Sequence, residues 1–199
     1  MNKAEIQAYF DQHAFEWDAR MVRCQSKIDA ILDAAGVGAG KTVLDVACGT
    51  GVLFEDYLSR GASQIVGVDL SSEMARIARR KFPQSHISVI CADIEEMEFE
   101  APFDSCVVYN ALPHFPDPGR LVARLARFVT PGGRLCVAHS MSREALARHH
   151  LGRADAVSRP LPETEALCAV FEPYFSLDVV CSDSEKLIVA GALRQRKNQ

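Results

Sequence analysis

Three carboxylates and one glycine bend carry the most chemical information in this chain. Asp45 lies inside the apolar run Thr42–Ala47, and Cys48-Gly49-Thr50-Gly51 turns the chain directly after it. Asp69 closes a second apolar run, 18 residues after Gly51, and Asp93 follows a third. Glycines in such a bend let the backbone approach a ligand closely, because they carry no Cβ. A carboxylate placed as Asp69 is can accept from both hydroxyls of a ribose. In a doubly wound sheet Asp93 falls on the neighbouring edge, within reach of an adenine amino group. Two features separate the pattern from a dinucleotide site. Phe54 stands where the third glycine of G-x-G-x-x-G belongs. Asp45 would repel a pyrophosphate and suits a ligand that carries an ammonium and a sulfonium.

The histidines come next. His114 sits in Ala111-Leu112-Pro113-His114-Phe115-Pro116 after the fourth strand, and His139 closes the fifth. Ligands of open α/β sheets bind at that edge, so both are candidate bases; the bland alternative for His114 is a loop histidine packed on prolines. His149 and His150 are neighbours on an expected helix and point about 100° apart, which does not make a metal pair. No metal site is expected. Tyr9, Phe10, Phe15 and Trp17 are either helix packing or an aromatic lid, whose faces would attract a sulfonium. The basic cluster Arg76, Arg79, Arg80 and Lys81 is explained as a solvated helix end. Neither Cys24 nor Cys48 has a base fixed beside it by sequence.

Alternating elements must hold these groups. Strands are expected at Thr42–Ala47, Gln64–Asp69, Ile87–Cys91, Phe103–Asn110 and Arg134–His139, with helices at Val52–Arg60, from Ser71 or Ser72 to Pro83, and at Leu121–Val129. Pro131-Gly132-Gly133 reads as a turn. Strands that are apolar almost throughout and alternate with helices indicate a parallel sheet covered on both faces. Phe175–Cys181 and Lys186–Leu193 are joined by four polar residues, too few for a crossover, so they form an antiparallel hairpin. Ile6, Tyr9, Phe10, His13 and Trp17 recur at helical steps, and Cys24–Ala35 is a second helical stretch. The 199 residues fit one domain, with 1–40 as a helical cap and 41–199 as the sheet core. The net charge of −4 disfavours nucleic acid. No apolar run is long enough for a membrane span, and no CxxC pair accompanies the seven cysteines. A reducing, cytoplasmic compartment is expected.

LDVACGTG, VDLSSEM and CADIEEM, with FDSCVVYNALPHFPDP and VTPGGRLCVAHS, resemble the motifs of the class I S-adenosylmethionine-dependent methyltransferases. YFDQHAFEWDARM is similar to the N-terminal helix of the ubiquinone/menaquinone-biosynthesis-like small-molecule branch. The resemblance is strong over about residues 42–140 and architectural elsewhere. It implies a Rossmann-like sheet of seven strands, the last antiparallel, with S-adenosyl-L-methionine as cofactor. It places Asp45 near the methionine ammonium, and Ala47, Cys48, Gly49 and Gly51 in the loop around the methionine portion. Asp69 would hold the ribose hydroxyls, Leu70 and Met74 would line the adenine, Asp93 would accept from its amino group and Ile94 would pack on the ring. Asn110 and Ala111 would face the sulfonium.

The expected activity is methyl transfer to a small-molecule acceptor by in-line displacement. Such a reaction needs positioning and exclusion of water more than covalent chemistry. A hydroxyl or acidic-carbon acceptor adds a requirement for a base, His114 or His139. The acceptor pocket is expected from the N-terminal helices, the loop Pro113–Pro118 and the segment from His139 to about Pro162. The alternatives are a nicotinamide-dependent oxidoreductase, opposed by Phe54 and the hairpin, and a non-catalytic nucleoside-binding regulatory module. A nucleic-acid methyltransferase is opposed by the charge and by Asn110-Ala111-Leu112-Pro113 in place of an NPPY-like signature.

Overall fold

A computed structural model describes residues 2–150 and 157–195, without the side chains of residues 149 and 150. The helices are α1 (Lys3–His13), α2 (Trp17–Arg20), α3 (Gln25–Ala34), α4 (Phe54–Ser59), α5 (Ser72–Lys81), α6 (Pro118–Leu125), α7 (Arg143–His150) and α8 (Thr164–Phe171). The strands are β1 (Thr42–Val46), β2 (Gln64–Asp69), β3 (Ile87–Cys91), β4 (Phe103–Tyr109), β5 (Val129–His139), β6 (Phe175–Ser182) and β7 (Leu187–Leu193). They form one sheet in the order β3-β2-β1-β4-β5-β7-β6. Strands β1 to β5 pair parallel, and β7 pairs antiparallel with both β5 and β6. This is the architecture expected from the alternation.

Strand periodicity divides the core. Leu44, Val46, Val68, Val108 and Val137 face one side, under α6 and α8. Val43, Ile65, Val107, Cys136 and Ala138 face the other, under α3 and α4. Both faces are buried, so each strand reads as a nearly continuous apolar run. Asp45 shares its parity with Val43 and interrupts that run at the carboxyl edge.

Local chemistry sets the helix starts. The Ser71 hydroxyl accepts from the Met74 N–H at 3.1 Å and caps α5. Asp117 accepts from the Arg120 N–H at 2.9 Å and caps α6, with Pro118 at the first position. The Asp183 carboxylate accepts from the N–H groups of Glu185 and Lys186 at 2.8 and 2.9 Å, closing the β6–β7 turn. Pro131-Gly132-Gly133 lies within the span of β5 instead of before it. Pairing with β4 jumps from Phe103–Val129 to Ser105–Arg134, so the irregularity is absorbed inside the strand.

The N-terminal helices depart from a simple layer on the sheet. Phe10, Ala14 and Trp17 pack on Met74 and Ile77 of α5. Ile6 packs with Val157, Tyr9 and Leu70. The aromatic face read from the sequence therefore roofs the carboxyl ends of β1 and β2.

Candidate active site

Under that roof lies a cavity of about 1150 Å³. Its floor consists of the segments that leave β1, β2, β3 and β4. Asp45, Asp69 and Asp93 all line it, as do Ala47, Cys48 and Gly49. Leu70, Met74 and Ile94 border the same space, with Asn110 and Ala111 from the end of β4. The sequence thus located three strand ends that the fold brings to one rim.

Asp45 is buried, and among the described residues no cation pairs with it. Burial pushes its carboxyl up to about 8; the Tyr57 hydroxyl beside it offsets part of that, and the charge of Asp69 adds to it. Such a group gains strongly from an arriving ammonium. Asp69 is anchored by backbone: it accepts from the Gly49 N–H at 2.7 Å and the Ser71 N–H at 2.8 Å. Burial raises its carboxyl to about 6, against the pull of those two bonds. A carboxylate has about four lone-pair sites, so acceptors remain for hydroxyls.

The backbone at this rim is strained. Ala47 and Asn110 take φ of 55° and 53°, the left-handed region that L-residues visit at a cost. Asn110 is held there by Ser140, whose N–H donates to its Oδ1 at 2.9 Å. Gly49 has φ +57°, and a Cβ added there would sit in ordinary contact with Val52 at 3.8 Å and Trp17 at 3.9 Å, two residues that also line the cavity. Gly51 does not line the cavity. A Cβ on it would meet Phe82 at 2.9 Å and Phe54 at 3.0 Å, so the lack of a side chain there makes room for those two rings.

His114 lines the cavity, but His139 does not. The expectation that His139 reaches the active edge is corrected by strand parity. It shares the face of Leu135 and Val137, covered by α6 and α8, and is fully buried. His114 has its Nδ1 2.8 Å from the Val157 carbonyl and its ring edge-on to Phe10. A carbonyl only accepts, so Nδ1 carries the proton and Nε2 is the basic nitrogen. Tyr9 and Trp17 line the cavity as well, which places the aromatic helix face over the site. The expected acceptor segment contributes Ser140 and Met141, and Val157 through His114. The side chains of His149 and His150 lie outside the described residues. Burial raises the Cys48 thiol well above its ordinary range, which leaves it an apolar filler.

Sequence reasoning missed Lys3, Glu95 and Ser140. Lys3 pairs with Asp93 and, at 2.7 Å, with Glu95. Glu95 lies two residues after Asp93 inside CADIEEM, but an acid in an acidic loop gives no sequence signal of burial.

Residues 44–137 match the family described as methyltransferase domain. The chain is 38% identical over 113 residues to the ubiquinone biosynthesis O-methyltransferase of Pseudomonas paraeruginosa, covering 55% of this chain and 48% of that protein. It is 37% identical over 99 residues to the protein of that name from Chromobacterium violaceum, covering 48% and 42%. The chain spans about half the length of the curated relatives it matches. Among solved structures, a Haloferax volcanii methyltransferase in complex with the Trm112 activator superposes with a TM-score of 0.85 at 17% identity, over 98% of this chain and 100% of that one. Magnesium protoporphyrin IX methyltransferase of Synechocystis, with bound S-adenosylhomocysteine, gives 0.72 at 17% identity over 97% and 99%.

The match over residues 44–137, the sheet order and the rim agree with the S-adenosylmethionine-dependent methyltransferase fold of those solved structures. The residues present fit that cofactor: a buried acid with no paired cation among the described residues, an anchored acid with spare lone pairs, and a side-chain-free glycine at the cavity wall. No helix among the described residues is long and apolar enough to cross a membrane.

Proposed function

We propose that the protein transfers a methyl group from S-adenosylmethionine to a small, aromatic, hydroxyl-bearing acceptor. The carrying observation is that Asp45, Asp69 and Asp93 leave three successive strands and line one cavity with Gly49. When bound, the cofactor supplies an activated methyl on a sulfonium. Asp45 would hold the ammonium, Asp69 the ribose hydroxyls, Asp93 the adenine amino group, and Asn110 and Ala111 the sulfonium side. The bulk of the cavity suits an acceptor beside the cofactor. Its walls there are Tyr9, Phe10, Trp17, Tyr109 and Phe115, which favours a planar apolar body. His114 takes the hydroxyl proton at Nε2, while its Nδ1–H stays on the Val157 carbonyl and fixes the ring. The O-methyltransferase names of the relatives support an oxygen acceptor.

We read residues 1–40 as a helical cap on the core 41–199 of one domain. Seven cysteines, all free thiols, support a reducing, cytoplasmic compartment.

Calorimetry with S-adenosylhomocysteine and with NADH tests the cofactor; heat with the first and none with the second is expected. A panel of phenols, thiols and amines, read by mass spectrometry for one added methyl, tests the acceptor. His114→Gln should cut turnover of phenols by about 10²–10⁴ while leaving the affinity for S-adenosylhomocysteine unchanged. Phenol turnover that survives this change removes His114 from the mechanism.

A further inference from the structure

Three charged residues of α1 and α2 reach the segments that floor the cavity. Asp18 of α2 bonds the Thr50 hydroxyl and pairs with Lys81 at 2.7 Å. Asp11 of α1 accepts from the Ser71 hydroxyl at 2.6 Å and from the Glu73 N–H at 3.0 Å. Lys3 of α1 reaches the loop after β3, where it meets both Asp93 and Glu95.

The last contact has a shape that simple helix docking does not require. Asp93 Oδ1 already accepts from the Glu95 N–H at 3.0 Å. Its Oδ2, the oxygen left for a ligand, faces the Lys3 ammonium. The acceptor assigned above to the adenine amino group is therefore occupied by a cation from the cap. That cation has a second acceptor beside it, because Glu95 lies 2.7 Å away. The Glu95 side chain is only 4% exposed, yet the residue lines the cavity. Arg120 Nε neutralises its other oxygen at 3.2 Å. Lys3 can yield Asp93 and still be held.

On the strength of the cofactor reading above, we propose that Lys3 and Glu95 form a clamp that shuts α1 over the adenine. The amino group takes Asp93 Oδ2, Lys3 stays on Glu95, and the base is enclosed between the β3 loop and α1. Release of the nucleoside then requires Lys3 to leave Glu95. Lys3 is partly exposed, at 39%, so salt weakens the clamp and speeds release.

Lys3→Met is a clean probe, because Arg120 still neutralises Glu95 when the ammonium is gone. Stopped-flow dissociation of S-adenosylhomocysteine from the whole chain, at low and high ionic strength, reads the effect. Lys3→Met should release the ligand about fivefold faster, the scale of one partly exposed ion pair. It should also lose most of the salt dependence of release while melting at the wild-type temperature. Glu95→Gln should behave like Lys3→Met, and Lys3→Arg should restore slow, salt-sensitive release. Release from Lys3→Met at the wild-type rate, or an undiminished salt dependence, overturns the clamp. A wild-type protein that binds no S-adenosylhomocysteine overturns the cofactor reading itself, an outcome separable from a wild type that binds and a variant that does not differ.

Discussion

The rim of the sheet and the N-terminal cap enclose the same cavity by different physics. At the rim, the cavity-lining groups are tied to backbone: the buried Asp69 by two N–H donors, and the exposed Asn110 by the Ser140 N–H. The cap is joined to that rim by partly exposed carboxylates and ammonium groups, and it displays Phe15 and Val22 almost fully to solvent. Backbone-anchored acceptors cost little reorganisation and suit affinity. Partly exposed ion pairs are worth little each and are easily exchanged, which suits access. Affinity should therefore respond to the rim, and rates to the cap.

The strongest way to break that division is Gly49→Val. Valine at φ +57° is strained, and its branches would extend from the cavity wall between Val52 and Trp17. Binding of S-adenosylhomocysteine should disappear in calorimetry while the far-ultraviolet spectrum stays wild type. Retained affinity would mean the ligand lies elsewhere. Gly51→Val gives the contrast: it should cost stability through Phe54 and Phe82, since that glycine does not border the cavity. Asp69→Ala comes next. It removes acceptors from the ligand and also frees the Gly49 and Ser71 N–H groups, so binding should weaken by about 1.5–3 kcal/mol. Wild-type affinity in this variant would defeat the ribose assignment.

How much of each region could be read from sequence follows the same division. Asp45, Asp69 and Asp93 were legible because a strand end followed by a bend fixes where a residue sits, and parallel order carries successive ends to one edge. Gly51 stands apart: a glycine pair has one sequence signature, but only Gly49 borders the cavity while Gly51 makes room for Phe82 and Phe54. His139 was misplaced because parity, not proximity to the edge, decides which layer a side chain enters. Lys3 and Glu95 were invisible because their partner lies about ninety residues away in one case and their burial depends on the cap in the other. Non-local ion pairs leave no periodicity to find.

Acidity offers a graded test of the rim. Asp45 at about 8 and Asp69 at about 6 both sit above the ordinary value of 3.8, chiefly through burial. The folded chain thus binds these protons more tightly than the unfolded chain does. Stability of the unliganded protein should fall as pH rises through this range, by up to about 1.4 kcal/mol per pH unit for each group, and level off above about 8. Asp45→Asn should remove the decline between about 6 and 8 and roughly halve the slope below 6, where Asp69 alone still contributes. Thermal or denaturant melts across pH check this. An ammonium bound beside Asp45 favours its ionised form, so ligand should restore stability most at the alkaline end. A liganded protein with the same slope as the free one would detach Asp45 from ligand binding.

The smallest effect belongs to the cap. Asp11 accepts from the Glu73 N–H at 3.0 Å and from the Ser71 hydroxyl, so it supplements the Ser71 cap of α5 from a different helix. Asp11→Ala leaves the Ser71–Met74 bond in place. It should therefore cost at most about 1 kcal/mol of stability, the lower part of the range for a lost cap. Its effect on S-adenosylhomocysteine should appear as faster binding and release together, with the ratio nearly kept, because both rates pass through the same opening of α1. A large loss of affinity at unchanged association rate would instead place Asp11 at the ligand, and would dissolve the distinction between a rim that binds and a cap that admits.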